Sequence, residues 1–387
     1  MNNKFFFPSK RSNIDSFKVM QLLSDASNLE NNGKTVYHLE LGEPPPLTPL
    51  LVKNEVKKLV NSNLSGYTPS NGIKELRKKI SNFYEHKYKL DINHDNIFIT
   101  TGSSGAFLLS FISCFDKGQK VGIFNPVYPA YRNILKSLNI EVIEIFPEDF
   151  AICKINLRKI EKFKNLNGLI ISNPNNPNGQ VFSNEELDYI YNFCCKNNIS
   201  LISDEIYHGI EFENLSKSIL NFGQRGIVIN SFSKYFLMPG WRLGWAVIPD
   251  SLKENFLKLS QNLFISSGNI AQYSALKIFE CIDELNETVK NYSITRKQVR
   301  KLLSEIKGLN FIEPDGAFYF YLDVTNYDID SEELSKKILN ETGVALTPGT
   351  DFDKKFGHRT MRLAFSSDKQ KVIEAVTKLK KWFKQNY

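Results

Sequence analysis

The chain is poor in the residues that build metal centres and disulfide frameworks. Its five histidines lie far apart and form no H-E-x-x-H pair. Its five cysteines are an odd number without a C-x-x-C spacing, and they are Cys114, Cys153, Cys194, Cys195 and Cys281. We therefore expect buried thiols, and neither a bound metal nor a disulfide framework.

Long apolar runs and runs of like charge are also missing. The longest apolar segment, residues 106–115, falls far short of the ~20 residues that a membrane span needs, and the amino terminus lacks a signal-peptide core. The net charge is +7, but no run of five or six like charges forms a nucleic-acid surface. We expect a cytoplasmic protein that binds neither membrane nor nucleic acid, with two or three domains of about 150 residues each.

Seven short β-rich runs dominate the middle of the chain. Helix-sized segments separate most of them, for example residues 184–197 between the fourth and the fifth. The runs are residues 97–101, 120–124, 142–146, 168–172, 200–204, 226–231 and 244–248. This alternation predicts an α/β large domain, residues 45–285, in which a seven-stranded, mainly parallel sheet is flanked by helices.

The two chain ends have a different pattern. A helical period covers residues 16–32, and residues 251–307 are largely helical with a turn at Ser266–Asn269. Strands at 317–324 and 361–365 and helices at 331–341 and 369–385 follow. The ends together, residues 1–44 and 286–387, predict a small α+β domain.

Lys234 is the strongest candidate for chemistry. It follows the apolar run 226–230, a predicted strand, in the sequence Ser231-Phe-Ser-Lys234, and Arg242 lies eight residues further on. Open α/β sheets bind ligands at the carboxyl ends of their strands. Because the chain has only ten arginines against 39 lysines, an arginine here suggests a fork for phosphate or carboxylate. Most of the lysines should nevertheless be solvated surface residues.

Further polar clusters follow other predicted strands. Ser103 and Ser104 precede a helix predicted to begin at Ala106, so their amides could cradle a phosphate. A purely structural turn is the alternative, and the G-x-G-x-x-G spacing of a dinucleotide site is missing. Tyr128 lies on a proline-flanked loop, where its ring could stack on a planar ligand or pack between domains.

Two more clusters add an amide and a carboxylate to the same sheet edge. Asn176 belongs to the turn-forming run Asn173-Pro-Asn-Asn-Pro-Asn-Gly179. Asp204-Glu-Ile-Tyr207 closes the fifth run, and a carboxylate at the end of a buried strand needs a partner. A salt bridge to a lysine would satisfy it without any functional role.

Taken in order, these clusters resemble the pyridoxal-phosphate-dependent aminotransferases of class I/II, the aspartate aminotransferase superfamily. The resemblance covers nearly the whole chain in one register. Its motifs are Leu41-Gly-Glu-Pro44, Tyr67-Thr-Pro-Ser-Asn-Gly72, Thr101-Gly-Ser-Ser-Gly105, Pro126-Val-Tyr-Pro129, Asn173-Pro-Asn-Asn-Pro-Asn-Gly179, Asp204-Glu-Ile-Tyr207, Ser231-Phe-Ser-Lys234, Gly240-Trp-Arg-Leu-Gly244 and Met361-Arg-Leu-Ala364. Each motif is modest alone, but nine in sequence are specific.

The resemblance implies a role for each residue around the cofactor, pyridoxal 5′-phosphate. Lys234 would hold it covalently and then act as the general base at the substrate's Cα. Asp204 would keep the pyridine nitrogen protonated, Asn176 and Tyr207 would hydrogen-bond the phenolic oxygen, and Tyr128 would stack on the ring. The residues implied to bind the phosphate are Ser103, Ser104, Ser231, Ser233 and Arg242.

The remaining implied roles concern the substrate and a second subunit. Arg362 would bind the substrate's α-carboxylate, helped by the Gly42 backbone and the Asn176 amide. Tyr67 would reach the phosphate of the neighbouring subunit, so the resemblance implies a homodimer with a shared active site. Ser104 is small where some dicarboxylate-selective relatives carry lysine, which weakens the case for aspartate as donor. The proline-rich segment after Glu43 departs from many relatives and suggests a differently shaped entrance loop.

The resemblance implies transfer of an amino group from an L-amino acid to a 2-oxo acid in a ping-pong cycle. The nearest alternative is a carbon–sulfur β-lyase, which would use the same lysine and arginine. A non-catalytic regulator that binds the cofactor would need a DNA-binding domain ahead of the fold, and we expect no room for one before Leu41. A nicotinamide-dependent oxidoreductase is disfavoured by the missing dinucleotide fingerprint.

Overall fold

The architecture comes from a computed structural model, which describes residues 7–45, 47–62, 64–148, 155–213 and 215–387. Cys153 and one residue of the proline-rich entrance loop, Pro46, lie outside these ranges. The described strands are β1 (Tyr37–His38), β2 (Ile97–Thr100), β3 (Lys120–Phe124), β4 (Glu141–Ile145), β5 (Gly168–Ser172), β6 (Ser200–Asp204), β7 (Ile227–Ser231), β8 (Gly244–Val247), β9 (Asn310–Ile312), β10 (Tyr319–Asp323), β11 (Val344–Ala345), β12 (Thr347–Pro348) and β13 (Thr360–Ala364).

Helices surround these strands on both sides. The described helices are α1 (Lys18–Asn31), α2 (Leu50–Val60), α3 (Lys74–Tyr88), α4 (Gly102–Cys114), α5 (Pro129–Ser137), α6 (Asn184–Lys196), α7 (Lys253–Leu263), α8 (Asn269–Ala275), α9 (Ile282–Ser304), α10 (Ser331–Thr342) and α11 (Lys369–Asn386). The segment predicted to be largely helical with a turn at Ser266–Asn269 therefore contains three helices and a second interruption before α9.

The large sheet has seven strands in the order β2-β8-β7-β6-β5-β3-β4. Strands β3 to β7 pair in parallel, and β8 runs antiparallel to both of its neighbours, β2 and β7. The predicted fold class is confirmed, and the strand bounds agree with the seven β-rich runs to within one residue. The parallel strands share one carboxyl edge, and the candidate site lies there.

Both faces of this sheet are covered, which explains why its strands are continuously apolar. In β5, Leu169 and Ile171 pack into the apolar core on one face, and Ile170 packs into the core on the other. In β6, Leu201 and Ile202 divide between the two cores in the same way. In the central strands β5 and β7 every residue is therefore buried, whichever face its side chain points to.

Both chain ends contribute to the smaller sheets. A four-stranded antiparallel sheet has the order β12-β13-β10-β9, and β1 pairs in parallel with β11. The short strands β9, β11 and β12 have no clear sequence signal. The division of the chain into residues 45–285 and the two ends stays a prediction, and its carboxyl-terminal boundary falls within the continuous helix α9.

Candidate active site

A cavity of about 230 Å³ opens at the carboxyl edge of the large sheet, between it and the small antiparallel sheet. It brings together eleven of the thirteen site residues predicted from the sequence. They are Gly42, Ser103, Ser104, Tyr128, Asn176, Asp204, Tyr207, Ser233, Lys234, Arg242 and Arg362. Of the other two, Ser231 lies behind the cavity wall and Tyr67 lies on the surface.

Lys234 follows β7 and reaches the cavity with a partly buried side chain. Its Nζ donates to the Gly42 carbonyl oxygen at 2.5 Å. The pKa of Lys234 is lowered to about 8, chiefly by burial and then by the charges of Arg362 and Arg242, while Glu43 and Asp204 oppose the change. A substantial fraction of this amine is therefore neutral, and hence nucleophilic and basic, near physiological pH.

Asp204 is the last residue of β6 and is buried beneath the cavity. Its two carboxylate oxygens accept from the Tyr131 hydroxyl and, at 3.0 Å, from the Ile206 amide. Burial raises the pKa of Asp204 to about 6, against the effects of these donors and of Lys234. The carboxylate is thus mostly anionic at neutral pH, and within the described ranges no lysine lies close enough to form a salt bridge with it.

Tyr207 contacts a residue that the sequence did not identify, Tyr319 of β10. The two hydroxyl oxygens are 2.6 Å apart, and burial raises the pKa of Tyr207 well above its ordinary value. A Cβ at Gly42 would lie only 1.8 Å from the Tyr319 hydroxyl oxygen, so this close approach requires glycine at position 42. Tyr319 belongs to an aromatic strand and looks in sequence like a core residue, which is why it was missed.

Arg362 of β13 is held by several groups in the cavity wall. Its Nη1 donates to Asn176 Oδ1 at 2.9 Å, and its Nη2 donates to the Glu40 carbonyl oxygen at 2.5 Å. The guanidinium carbon lies 4.5 Å from the Tyr319 ring centre and 4.7 Å from that of Phe352. Arg362 Nε is buried and has no hydrogen-bond partner in the described part of the chain. The result is a fixed, planar cation with donor capacity left for an anion.

The amino terminus of α4 forms an anion cradle with Ser233 and Arg242. The helix begins at Gly102, so the predicted start at Ala106 was wrong. Residues 102–105 are glycine and serine, so the first turn of the helix lacks the apolar period from which the prediction was made. Ser103 and Ser104 occupy that turn, where helix amides have no intrahelical acceptor.

Glycine allows the parts of this cradle to converge. A Cβ at Gly102 would lie 2.6 Å from Arg242 Nη2, and one at Gly244 would lie 2.9 Å from the Ser103 amide nitrogen. Ser231 Oγ lies 2.8 Å from Ser233 Oγ and 3.1 Å from the Leu243 carbonyl oxygen. Ser231 therefore supports Ser233 from behind the cavity wall.

The aromatic side of the cavity is formed partly by a remote segment. The ring of Phe17, just before α1, stacks on Tyr128 at 5.9 Å, and Tyr131 packs edge-on against Tyr128 at 5.6 Å. Phe17, Val19, Asp351 and Phe352 all line the cavity. Nothing in the sequence marked these four residues, because none belongs to a motif and they join the site only through tertiary contacts.

Tyr67 does not line the cavity of its own chain and is 86% exposed. A single chain does not test its predicted contact with a neighbouring subunit. Among the described residues, no group of three or more His, Cys, Asp or Glu side chains is arranged to hold a metal ion. In the same ranges, no helix is both long and apolar enough to cross a membrane.

The residues of the cavity fit a phosphorylated pyridine aldehyde. Lys234 offers a partly neutral amine for the aldehyde, and the buried carboxylate of Asp204 suits a protonated ring nitrogen. The anion cradle, formed by the amino terminus of α4 with Ser233 and Arg242, suits a phosphate. Each of these groups is present before any ligand is added, and each matches one part of pyridoxal phosphate.

Comparison with known proteins gives one consistent family. The family model for aminotransferases of class I and II matches residues 34–379. The chain is 38% identical to a (5-formylfuran-3-yl)methyl phosphate transaminase of Methanocaldococcus jannaschii, over 96% of this chain and 97% of that protein. It is 35% identical to a valine–pyruvate aminotransferase of Mycobacterium tuberculosis, over 96% and 97% respectively. The crystal structure of an aminotransferase from Mycobacterium tuberculosis superposes with a TM-score of 0.94 at 33% identity, covering 98% of this chain and all of that one.

Proposed function

We propose, from the premise that this chain belongs to the class I and II aminotransferases, that its cavity binds pyridoxal 5′-phosphate and holds an amino acid between Lys234 and Arg362. The chain is an aminotransferase, and its family uses this cofactor. The observation that carries the proposal is that one cavity combines a partly neutral amine, a buried carboxylate, an anion cradle and a fixed arginine.

Lys234 is the residue that moves protons. When bound, pyridoxal phosphate supplies an electron-withdrawing ring that stabilises negative charge at the Cα of the amino acid. The neutral Nζ of Lys234 removes the proton from that carbon as general base. Asp204, anionic at neutral pH, holds the positive charge on the ring nitrogen, and the Tyr131 hydroxyl orients Asp204.

The anion cradle would hold the phosphate of the cofactor, whose ring nitrogen Asp204 would pair with. The first-turn amides at Ser103 and Ser104, the Ser233 hydroxyl and the Arg242 guanidinium are its donors. Tyr128 would cover one face of the ring, and Asn176 and Tyr207 would hydrogen-bond its phenolic oxygen. Ser231 acts through its contact with Ser233.

Arg362 holds the α-carboxylate of the amino acid. Its guanidinium is oriented by Asn176 and by the Glu40 carbonyl group before a substrate arrives, so little ordering remains to be done on binding. The Gly42 backbone lies beside this position. A carboxylate bound there would place the amino acid in the same cavity as Lys234.

The active unit is a homodimer in which Tyr67 reaches the partner's phosphate site. Exposed apolar side chains lie on the segments that precede Tyr67 in the chain and on the segment that precedes Asn269, and exposed apolar surface of this kind suits a protein interface. They are Leu47, Leu50, Leu51, Val60, Leu263 and Ile265. The cytoplasmic location expected from the sequence stays a prediction.

A carbon–sulfur β-lyase is not favoured, because the relatives that match over nearly the whole chain are named as transaminases and aminotransferases. To test the proposal, the purified protein is loaded with pyridoxal phosphate, treated with borohydride and examined for cofactor fixed to the chain. We expect a yellow protein with cofactor fixed at Lys234, and none fixed in Lys234→Ala. Amino transfer is then followed as 2-oxo acid formation with each of the common amino acids. A colourless protein that fixes no cofactor would overturn the proposal.

A further inference from the structure

Part of the cavity wall has no role in holding the cofactor or the α-carboxylate. It consists of Phe17 and Val19 from the amino-terminal segment, and of Asp351 and Phe352 from the segment that follows β12. Phe352 lies against the Arg362 guanidinium, and Phe17 lies against Tyr128. We call these four residues the side-chain wall, because an amino acid held by Arg362 would have its side chain beside them.

The charges of the cavity leave no cation for a second carboxylate. Among the described residues that line it, the cations are Lys234, Arg242 and Arg362. In the proposed function these bind the aldehyde carbon, the phosphate and the α-carboxylate, so each already has a partner. The unassigned charged residue of the wall is Asp351, whose charge has the same sign as an acidic substrate side chain.

Asp351 also holds the wall together. Its carboxylate accepts from the backbone amides of Lys18 at 3.1 Å and Val19 at 3.4 Å, which fixes the segment that carries Phe17. Burial raises the pKa of Asp351, and the two amides and Arg362 oppose that rise. As a carboxylate, Asp351 would repel a second anion at the wall.

The two segments nearest Tyr67 in the fold carry no cation of their own. Residues 64–70 and 263–269 contain neither lysine nor arginine. Asn269 joins the two segments by donating to the carbonyl oxygens of Leu64 at 2.9 Å and Gly66 at 2.8 Å. In the proposed dimer these two segments therefore contribute apolar side chains such as Ile265, and no counter-ion.

We propose that the side-chain wall selects amino donors with a neutral, apolar side chain and excludes acidic donors, with Phe17 and Asp351 as the specificity-determining residues. This inference rests on the proposed function, because it places the substrate's α-carboxylate on Arg362. Both half-reactions use the same cavity, so the same restriction applies to the acceptor. The preferred acceptor is a 2-oxo acid with one carboxylate.

Binding of unreactive acids tests the wall without relying on turnover. Holoenzyme is titrated calorimetrically at pH 8 with 4-methylpentanoate, which has one carboxylate and an apolar tail, and with succinate, which has two carboxylates. We expect 4-methylpentanoate to bind more tightly by on the order of tenfold, as the cost of opposing a like charge implies. Asp351→Asn keeps an oxygen acceptor for the Lys18 amide, loses the longer contact with the Val19 amide, and should reduce this ratio severalfold. Asp328→Asn removes an exposed carboxylate at a backbone position that asparagine tolerates and should leave the ratio unchanged.

Phe17→Ala provides a second test that does not depend on Asp351. It should weaken binding of 4-methylpentanoate by roughly tenfold, since apolar contact is lost, and change succinate binding by no more than about twofold. Succinate binding as tightly as 4-methylpentanoate in the wild type would overturn the inference, as would an unchanged ratio in Asp351→Asn. Amino transfer that is fastest from aspartate or glutamate would overturn the inference alone. Absence of transfer from every donor would instead contradict the proposed function.

Discussion

Asp204→Asn should make the cofactor-free protein more stable and the enzyme less active. The side chain is buried, and its folded-state pKa is about 6 against an ordinary value of 3.8. Because the folded-state pKa is the higher one, folded protein binds more protons than unfolded protein between the two values. Its stability therefore falls as pH rises through that window. The full difference between the two pKa values corresponds to about 3 kcal/mol of destabilisation of the folded protein at pH 8.

Asparagine can replace the carboxylate without leaving a polar group unpaired. Its Oδ1 can accept from the Ile206 amide, as Asp204 Oδ1 does, and its Nδ2 can donate to the Tyr131 hydroxyl oxygen. The variant removes the buried charge and keeps both contacts. Catalysis should fall, because a neutral amide no longer holds the positive charge on the cofactor ring.

Urea unfolding of the cofactor-free proteins at pH 5 and pH 8 measures this effect. The stability advantage of Asp204→Asn should grow by about 1.4 kcal/mol between these pH values, since the wild-type carboxyl ionises between them. Asp328→Asn serves as the control and should track the wild type at both pH values. The reasoning is refuted if Asp204→Asn is no more stable than the wild type at pH 8, or if its advantage does not change with pH.

Four further predictions follow from the same geometry. Arg362→Ala should reduce kcat/KM for every donor in a panel of amino acids, by an amount that corresponds to about 2 to 4 kcal/mol of lost transition-state stabilisation. A loss confined to acidic donors would mark Arg362 as a side-chain contact instead. In cofactor-free protein, the rate at which an amine reagent modifies Lys234 should increase with pH with a midpoint near pH 8, because the neutral amine is the form that reacts. A midpoint at pH 10.5, the ordinary pKa of lysine, would contradict the lowered pKa. Gly42→Ala should raise KM by displacing Tyr319, and an unchanged KM with full stability would contradict the close packing. Leu50→Asp should yield monomers in light scattering, with reduced affinity for the cofactor, whereas Asp328→Asn should stay dimeric.

Much of the fold and site could be predicted because the signals are local. A buried parallel strand is apolar throughout its length, so β5, β6 and β7 stand out as continuous runs between helix-sized segments. Polar residues that end such runs necessarily lie at one sheet edge. Lys234 and Asp204 were therefore found from sequence, as was the turn that holds Ser103.

Other features have weak local signals. The strands β11 and β12 have only two residues each, too few to show an alternating pattern. The start of α4 was misplaced because its first turn consists of glycine and serine, which do not show the apolar period of the rest of the helix. In these cases the surrounding packing decides the conformation.

The sequence by itself determined which chemical groups this protein has and which strand end each one follows. Only the tertiary structure decided that Tyr319 contacts Tyr207, that the Glu40 carbonyl group holds Arg362, and that Phe17 and Asp351 complete the cavity. Arg362 and Glu40 are 322 positions apart. Periodicity and propensity describe neighbours along the chain, whereas such contacts depend on how β1 and the small antiparallel sheet pack at the edge of the large one. The amine of Lys234 was thus predictable, and the side-chain wall beside it was not.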